Sequence, residues 1–293
     1  MDNFIVLYNP LAGNGTAQDK MRELESLMQG DRLYFSNMLD IRDYGAFFND
    51  MPDGASIIIC GGDGTLNRFL NDTEDIRPDC DIYYYPSGSG NDFARDIGAE
   101  RGAPPVLINR YIERLPKICV NGKEHRFING IGYGIDGYCC EKGDELRGKG
   151  NGEVNYTAIA IKGLLFHYKP TGATITVDGV EHRFEKVWLA PTMIGRYYGG
   201  GMMPTPEQDR LNGDGAVSVT VYYGSGKLKS LAVFPSIFKG EHIKHSEMVA
   251  VLSGRNITVC FDEPRPLQID GETVPGVREY SVTACEEKVL QPA

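Results

Sequence analysis

The chain has 293 residues, 41% of them hydrophobic and 24% charged, an ordinary globular composition with room for two domains or one large one. Its 30 basic residues against 40 acidic ones leave a net charge of −10, which argues against nucleic acid as a partner, since neutralising phosphates needs a surplus of Lys and Arg on some face. Seven cysteines without C-x-x-C spacing exclude a disulfide framework and a structural zinc, and no stretch approaches the roughly 18 consecutive apolar residues of a membrane span.

Taken from the start, Met1–Tyr8 lacks the positive region and long apolar run of a signal peptide. The expectation is a soluble, reducing, cytoplasmic protein that would visit a membrane only peripherally. Phe4–Tyr8 is a wholly apolar run that predicts a buried strand, followed by Asn9-Pro10-Leu11-Ala12-Gly13-Asn14-Gly15. Met21, Leu24, Leu27 and Met28 recur at helical spacing and predict a helix over 17–28. Ala55–Cys60 reads as a second buried strand, ending in Gly61-Gly62-Asp63-Gly64-Thr65, after which Leu66, Phe69 and Leu70 restart a helix. Asp81–Tyr85 reads as a third strand, closed by Pro86-Ser87-Gly88-Ser89-Gly90 and followed by a helix around 91–97. Strand, glycine loop and helix in repetition predict a parallel sheet with helices on its faces.

The texture changes after about residue 115. Asn121-Gly122, Asp178-Gly179 and Asp270-Gly271 are hairpin dipeptides between apolar runs. Further strands are expected at Ala216–Tyr223, Asn256–Phe261 and Glu279–Ala284, and one long apolar helix at Val154–Tyr168. The second half is thus mainly antiparallel β. Lys227, Lys229, Lys239 and Lys244 are the loose candidates for a local basic patch, with a plain solvated face as the commoner fate of such lysines.

Three glycine-rich loops on the carboxyl edge of one parallel sheet suit a bound phosphate, because helix-start N–H groups there favour anions. Neither a Walker lysine motif nor a G-x-G-x-x-G after the first strand is present, so this is neither a P-loop enzyme nor an ordinary dehydrogenase.

Four motifs occur in order: Asn9-Pro10-x-Ala12-Gly13, Gly61-Gly62-Asp63-Gly64-Thr65-Leu66-Asn67, Pro86-x-Gly88-Ser89-x-Asn91-Asp92, and Asp270-Gly271-Glu272. In that order they resemble the bacterial diacylglycerol kinase family, whose catalytic domain is shared with sphingosine kinases, and the resemblance spans essentially the whole chain. It implies an α/β nucleotide-binding domain over residues 1–120 and an antiparallel β-sandwich acceptor-binding domain over 121–283. Whether 284–293 rejoins the first domain is left open.

The same resemblance implies ATP as co-substrate, magnesium as cofactor and a lipid hydroxyl, such as that of diacylglycerol, as acceptor, in lipid metabolism. By that comparison Asn9, Pro10, Leu11, Ala12, Gly13, Gly62, Asp63, Gly64, Thr65, Leu66, Asn67, Arg68 and Ser89 would line the nucleotide phosphates, with Ser36 contributed after the second strand. Asp63, Asp92 and Asp136 would place catalytic magnesium, which takes few carboxylates plus phosphate oxygens and water. Glu272 would be the general base, with Asp270 orienting it or touching the metal network. Asp214, with the carbonyls of Leu211 and Ala216, would hold a structural magnesium, against the plain reading of an Asp-Gly turn.

Arg68 stands where the family usually has Glu, which reverses a charge near the phosphates. Ile159, Leu164, Leu165, Phe166, Met193, Met202 and Met203 would line a lipid pocket or else fill the core. A kinase of a soluble acceptor, NAD kinase-like, and a catalytically silent nucleotide-binding relative are the rival readings, and a homodimer is allowed.

Overall fold

The computed structural model describes residues 2–10, 17–76, 78–88, 90–148 and 156–285. Leu11, Ala12, Gly13 and Ser89, expected at the phosphates, lie outside the described residues, as does segment 286–293. The chain divides into two compact units, Met1–Glu113 and Arg114–Ala293.

The first unit runs β1 (Asn3–Tyr8), α1 (Ala17–Leu27), β2 (Arg32–Asn37), α2 (Tyr44–Asn49), β3 (Ser56–Gly61), α3 (Asp63–Asp72), β4 (Ile82–Pro86), α4 (Asp92–Ile97), β5 (Val106–Leu107) and α5 (Asn109–Ile112). Its sheet has the order β2-β1-β3-β4-β5, parallel except for β5. Central β1 and β3 are near-continuous apolar runs because both faces are covered, leaving Val6, Leu7, Ile57, Ile58 and Ile59 without solvent contact. The edge strand β2, Arg-Leu-Tyr-Phe-Ser-Asn, lacks that signature and leaves Tyr34 half exposed. The α2 helix opens on Asp43, whose carboxylate accepts the Ala46 amide, an N-cap of the usual kind.

The second unit begins with β6 (Lys117–Val120), β7 (Lys123–Arg126), β8 (Gly130–Tyr133), α6 (Ile135–Gly148) and α7 (Tyr156–Lys162), the last followed by a π-helical turn at Gly163–His167. It continues through β9 (Thr171–Val177), β10 (Val180–Val187), β11 (Thr192–Met193), β12 (Val217–Tyr222), α8 (Lys227–Val233), 3₁₀ turns at Phe234–Lys239 and Glu241–Lys244, β13 (Val249–Gly254), β14 (Asn256–Ile269) and β15 (Glu272–Thr283). The strands form an antiparallel sheet of order β13-β12-β11-β8-β14-β15-β6-β7, with β9 pairing both β10 and β14. Ile118 of β6 and Val219 of β12 lie far apart in that order yet share one core with Ile131, Ile175, Val259 and Val282. The sheet therefore folds over its own apolar face, as a sandwich does. All three hairpin dipeptides have left-handed φ at both residues, the geometry of a type I′ turn: Asn121 51° and Gly122 74°, Asp178 47° and Gly179 86°, Asp270 45° and Gly271 97°.

Two expectations change. The helix expected over 154–168 is broken into α7 and the π turn, with Tyr168 already extended. The longer helix is α6, which pattern did not reveal because Gly137 and Gly143 interrupt it and each interior Gly costs about 1 kcal/mol against Ala. Tertiary packing explains both glycines. A methyl on Gly137 would strike the Pro266 carbonyl of β14, and one on Gly143 would strike the Tyr156 ring. Of the residues weighed between lipid pocket and core, Met193 is fully buried in the sheet and Ile159 packs against a second core around Trp188 and Tyr222, whereas Phe166 belongs to neither. Among the described residues no helix is long and apolar enough to cross a membrane.

Candidate active site

In the first unit the strand register pairs Tyr8 with Asn37 and Cys60, Cys60 with Tyr85, and Gly61 with Pro86. The loops after β1, β3 and β4 consequently leave from one edge, at the carboxyl ends of the strands. Gly62 is the N-cap of α3, and its carbonyl accepts the amides of Thr65 and Leu66 at 3.0 and 3.1 Å. The N–H groups that open a helix have no partner within it, which leaves the start of α3 suited to an anion.

Asp63 locks this edge. Its Oδ2 accepts the Asp92 amide and its Oδ1 the Phe93 amide, both at 2.9 Å, so a carboxylate at the start of α3 caps the start of α4. The preceding loop is pinned as well: the Asn91 side chain accepts the Gly88 amide at 3.0 Å and donates to the Gly88 carbonyl at 2.8 Å. Any side chain on Gly88 would run into the Gly62 backbone, so the two glycine loops touch where only glycine fits. Asp63 and Asp92 adjoin at this edge. A methyl built on Gly90 would lie 3.4 Å from Asp63 Oδ2 and 3.8 Å from Asp92 Oδ2. Beneath this edge the Tyr84 hydroxyl is buried, and desolvation first, then the charge of Asp63, hold its pKa far above the usual value.

The other described residues expected at the phosphates lie in α3, in β2 and directly after β1. Leu66 is fully buried and its amide is spent on Gly62, and the Thr65 side chain is packed beneath Gly61. Ser36 lies within β2, beside Leu7, and does not follow the strand. Arg68 is on the exposed side of α3, where Nε donates to Asp72 Oδ2 at 3.3 Å. Asn67 accepts a hydrogen bond from the Asn71 side chain at 3.1 Å, while Asn9 and Pro10 follow β1 directly.

In the second unit, Ile269 and Glu272 pair across the β14–β15 hairpin, with Asp270 and Gly271 forming the turn. The Asp270 carboxylate accepts three backbone amides, from Ile128 at 2.6 Å, Asn129 at 2.9 Å and Gly130 at 3.0 Å. It therefore fastens the turn to the segment entering β8 and is engaged there, not with Glu272. Gln268 supplies a second fastening that sequence reasoning missed. Its Oε1 accepts the Gly271 amide at 2.6 Å and its Nε2 donates to Asp136 Oδ2 at 2.9 Å. A backbone N–H can only donate, which settles which amide atom faces which partner.

Asp136 stands in the first turn of α6 above Gly132, where any side chain would collide with its carboxylate. Burial pushes the Asp136 carboxyl up to about 6, against the opposing pull of hydrogen bonds from Gln268 and Tyr198. The Glu272 side chain is exposed and makes no hydrogen bond or ion pair among the described residues.

The trio expected to hold a structural metal lies in one turn, before β12. The Ala216 carbonyl already accepts Gln208 Nε2 and Asn212 Nδ2, both at 2.8 Å, and Asp214 Oδ1 accepts the Ala216 amide at 3.2 Å. Leu211 donates its amide to Asp209 Oδ1 at 2.9 Å and is otherwise exposed. Among the described residues no three His, Cys, Asp or Glu side chains are grouped to hold a metal by themselves.

Two family models match the chain. The diacylglycerol kinase catalytic domain covers residues 3–117, and the YegS C-terminal NAD kinase beta sandwich-like domain covers residues 129–286. A diacylglycerol kinase of Mycobacterium tuberculosis is 27% identical over 246 residues, spanning 81% of this chain and 77% of that protein. A diacylglycerol kinase of Bacillus subtilis is 28% identical over 224 residues, spanning 74% and 70%. The crystal structure of a diacylglycerol kinase from Bacillus anthracis shares the fold with a TM-score of 0.59 at 18% identity, covering 97% of this chain and 94% of that one. With the two models matching successive parts of it, the chain belongs to the diacylglycerol kinase-like lipid kinase family.

Proposed function

We propose that the protein transfers the γ-phosphate of ATP to a hydroxyl of a lipid such as diacylglycerol. The observation that carries the reading is the contrast within one turn. Asp270 and Gln268 spend their polar atoms fastening it, and Glu272 is left with an uncommitted carboxylate. A general base has to be held still while its oxygens stay available to the substrate proton, within about 2.6–3.2 Å or through one water.

In the proposed reaction the lipid hydroxyl oxygen forms a bond to the γ-phosphorus as the bond to the β-phosphate oxygen breaks. ADP leaves with that electron pair, and the hydroxyl proton passes to Glu272. Phosphoryl transfer asks a protein for positioning and charge neutralisation more than for covalent help. The start of α3 and the Gly62–Gly88 contact would supply the positioning. Asp63 and Asp92, both bordering Gly90, fit magnesium, an ion that takes one or two carboxylates and completes its shell with phosphate oxygens and water. When bound it would neutralise charge on the phosphates. Burial pushes the Asp136 carboxyl up to about 6, and any cation bound beside it would favour the ionised form.

A kinase assay with ATP and magnesium against diacylglycerols, sphingoid bases, ceramide, polyprenols and soluble alcohols tests the reading. Phosphorylation of a lipid in preference to every soluble alcohol is the expected result. Preference for a soluble alcohol would replace the acceptor class, and no turnover of any acceptor would leave only nucleotide binding.

A further inference from the structure

The glycine-loop edge of the first unit offers helix-opening N–H groups to an anion, while Arg68 of α3 spends its charge on Asp72. A cation comes instead from α1. A helix that joins two parallel strands begins at their carboxyl edge, and α1 joins β1 to β2, so its first turn stands there. Lys20 belongs to that turn. It precedes Leu24 by four residues and shares its helix face, and Leu24 is fully buried in the core of Val6, Ile58, Cys60 and Tyr85. The Lys20 side chain is accordingly only 19% exposed, and its Nζ donates to Glu23 Oε2 at 2.5 Å. The Glu23 carboxyl is held below its usual pKa by Lys20 first, against some desolvation, with help from the hydroxyl of Tyr85, the β4 residue before Pro86. The field of the ammonium also reaches Cys60, the residue before Gly61-Gly62. Burial first pushes that thiol up to about 11, and Ser87 and Lys20 pull against it.

The position matters because of the strand order. β1 and β3 are neighbours, but the chain leaves β1 for β2 on one side and β3 for β4 on the other. The carboxyl ends of such a pair border the crevice where open α/β sheets bind ligands. Lys20 overlooks the end of β3, one wall of that crevice, and α3 begins three residues beyond Cys60. We propose that Lys20 is a phosphate-binding residue, whose ammonium leaves Glu23 and donates to the polyphosphate of the bound nucleotide. It would do here what the lysine of a P-loop does as a point charge, from a different helix and with no motif around it. Glu23 holds the ammonium at the edge until a polyphosphate, with several negative charges against one, draws it away. A purely structural pair, bracing α1 against Tyr85 of β4, is the competing account of the same contacts. This inference rests on the reading of ATP as phosphate donor, and its test does not depend on turnover.

The experiment is calorimetric titration of the full chain with ATP and magnesium, alongside melting without ligand. Lys20→Met keeps the apolar stem and should weaken ATP binding by about tenfold to a hundredfold, the worth of a hydrogen bond to a charged group. Its affinity should also fall less steeply as salt is raised. Lys20→Arg should recover part of the loss, because the charge returns on a planar fork and not as a compact ammonium. Glu23→Gln separates the two accounts. It removes the carboxylate that competes for the ammonium, so ATP should bind at least as tightly as to the wild type. A brace would instead lose ATP affinity in Glu23→Gln as it does in Lys20→Met. Without ligand both variants should melt close to the wild type, since a partly exposed ion pair contributes little. Equal ATP affinity in wild type and Lys20→Met, or weaker ATP binding by Glu23→Gln, would overturn the assignment of Lys20 and leave the kinase reading standing. A wild type that binds no ATP would remove the kinase reading and this inference together.

Discussion

Gln268 donates to Asp136 Oδ2 at 2.9 Å while the other end of the same amide accepts from Gly271, so one side chain on β14 ties the start of α6 to the turn that presents Glu272. Hydrophobic replacement of Gln268 would leave the Gly271 amide and the Asp136 carboxylate each short of a partner. Gln268→Leu is expected to lower kcat by about one to two orders of magnitude through misplacement of the turn. The KM for ATP should stay near wild type. An unchanged kcat in a folded variant would show that the turn needs no such support.

Asp136 links that network to pH. Its carboxyl ionises near 3.8 when unfolded and at about 6 in the fold, so between those values the native state holds the extra proton. Its contribution to stability therefore falls as pH rises through this window and is fully unfavourable above it. Asp136→Asn should melt higher than wild type at about pH 7.5 in magnesium-free buffer, and the advantage should vanish near pH 4. The gap between 3.8 and about 6 caps the gain at about 3 kcal/mol. Equal melting of both proteins at the higher pH would mean that the carboxylate is better solvated or better paired than its burial implies.

Glu272 and Asp270 should fail differently. Glu272→Gln keeps size and polarity but cannot accept a proton, so turnover should drop by about 10²–10⁴. Stability and ATP binding should hardly change, as this side chain has no partner to lose among the described residues. Asp270→Ala strips an acceptor from the amides of Ile128, Asn129 and Gly130 and should destabilise the second unit by about 2 kcal/mol or more. Near-normal lipid phosphorylation by Glu272→Gln would end its role as base.

Asp63 is expected to matter before any nucleotide arrives. Asp63→Asn retains one acceptor oxygen but presents a donor to the second amide of the Asp92–Phe93 pair, at a cost of about 1–3 kcal/mol. The wild type should gain about 2.7 kcal/mol of stability with ATP and magnesium at a hundredfold excess over Kd, read as a higher melting temperature. The variant should melt lower without ligand and recover little of that gain. A full ligand shift in the variant would detach Asp63 from the phosphates and leave it only the cap of α4.

Much of the scaffold was legible because its signals are local. The apolar runs at Phe4–Tyr8 and Ala55–Cys60 can be buried only as central strands, and Asn121-Gly122, Asp178-Gly179 and Asp270-Gly271 favour the left-handed φ of a tight hairpin. The glycine loops, and the order of motifs that resembles a lipid kinase, were legible on the same ground. Tertiary structure alone decided what depends on partners distant in the chain. The helix α6 exists despite its glycines because β14 and Tyr156 press against them. Gln268 acquires a role only when β14 brings it to Asp136, 132 residues away. Asp270, for which the resemblance implies support of Glu272, is committed to three amides some 140 residues earlier. A carboxylate's partners are set by which backbone donors the fold brings within hydrogen-bonding distance of it. No window of neighbouring residues contains that information, and so the same acidic side chain becomes a cap at Asp63, a clasp at Asp270 and an uncommitted group at Glu272.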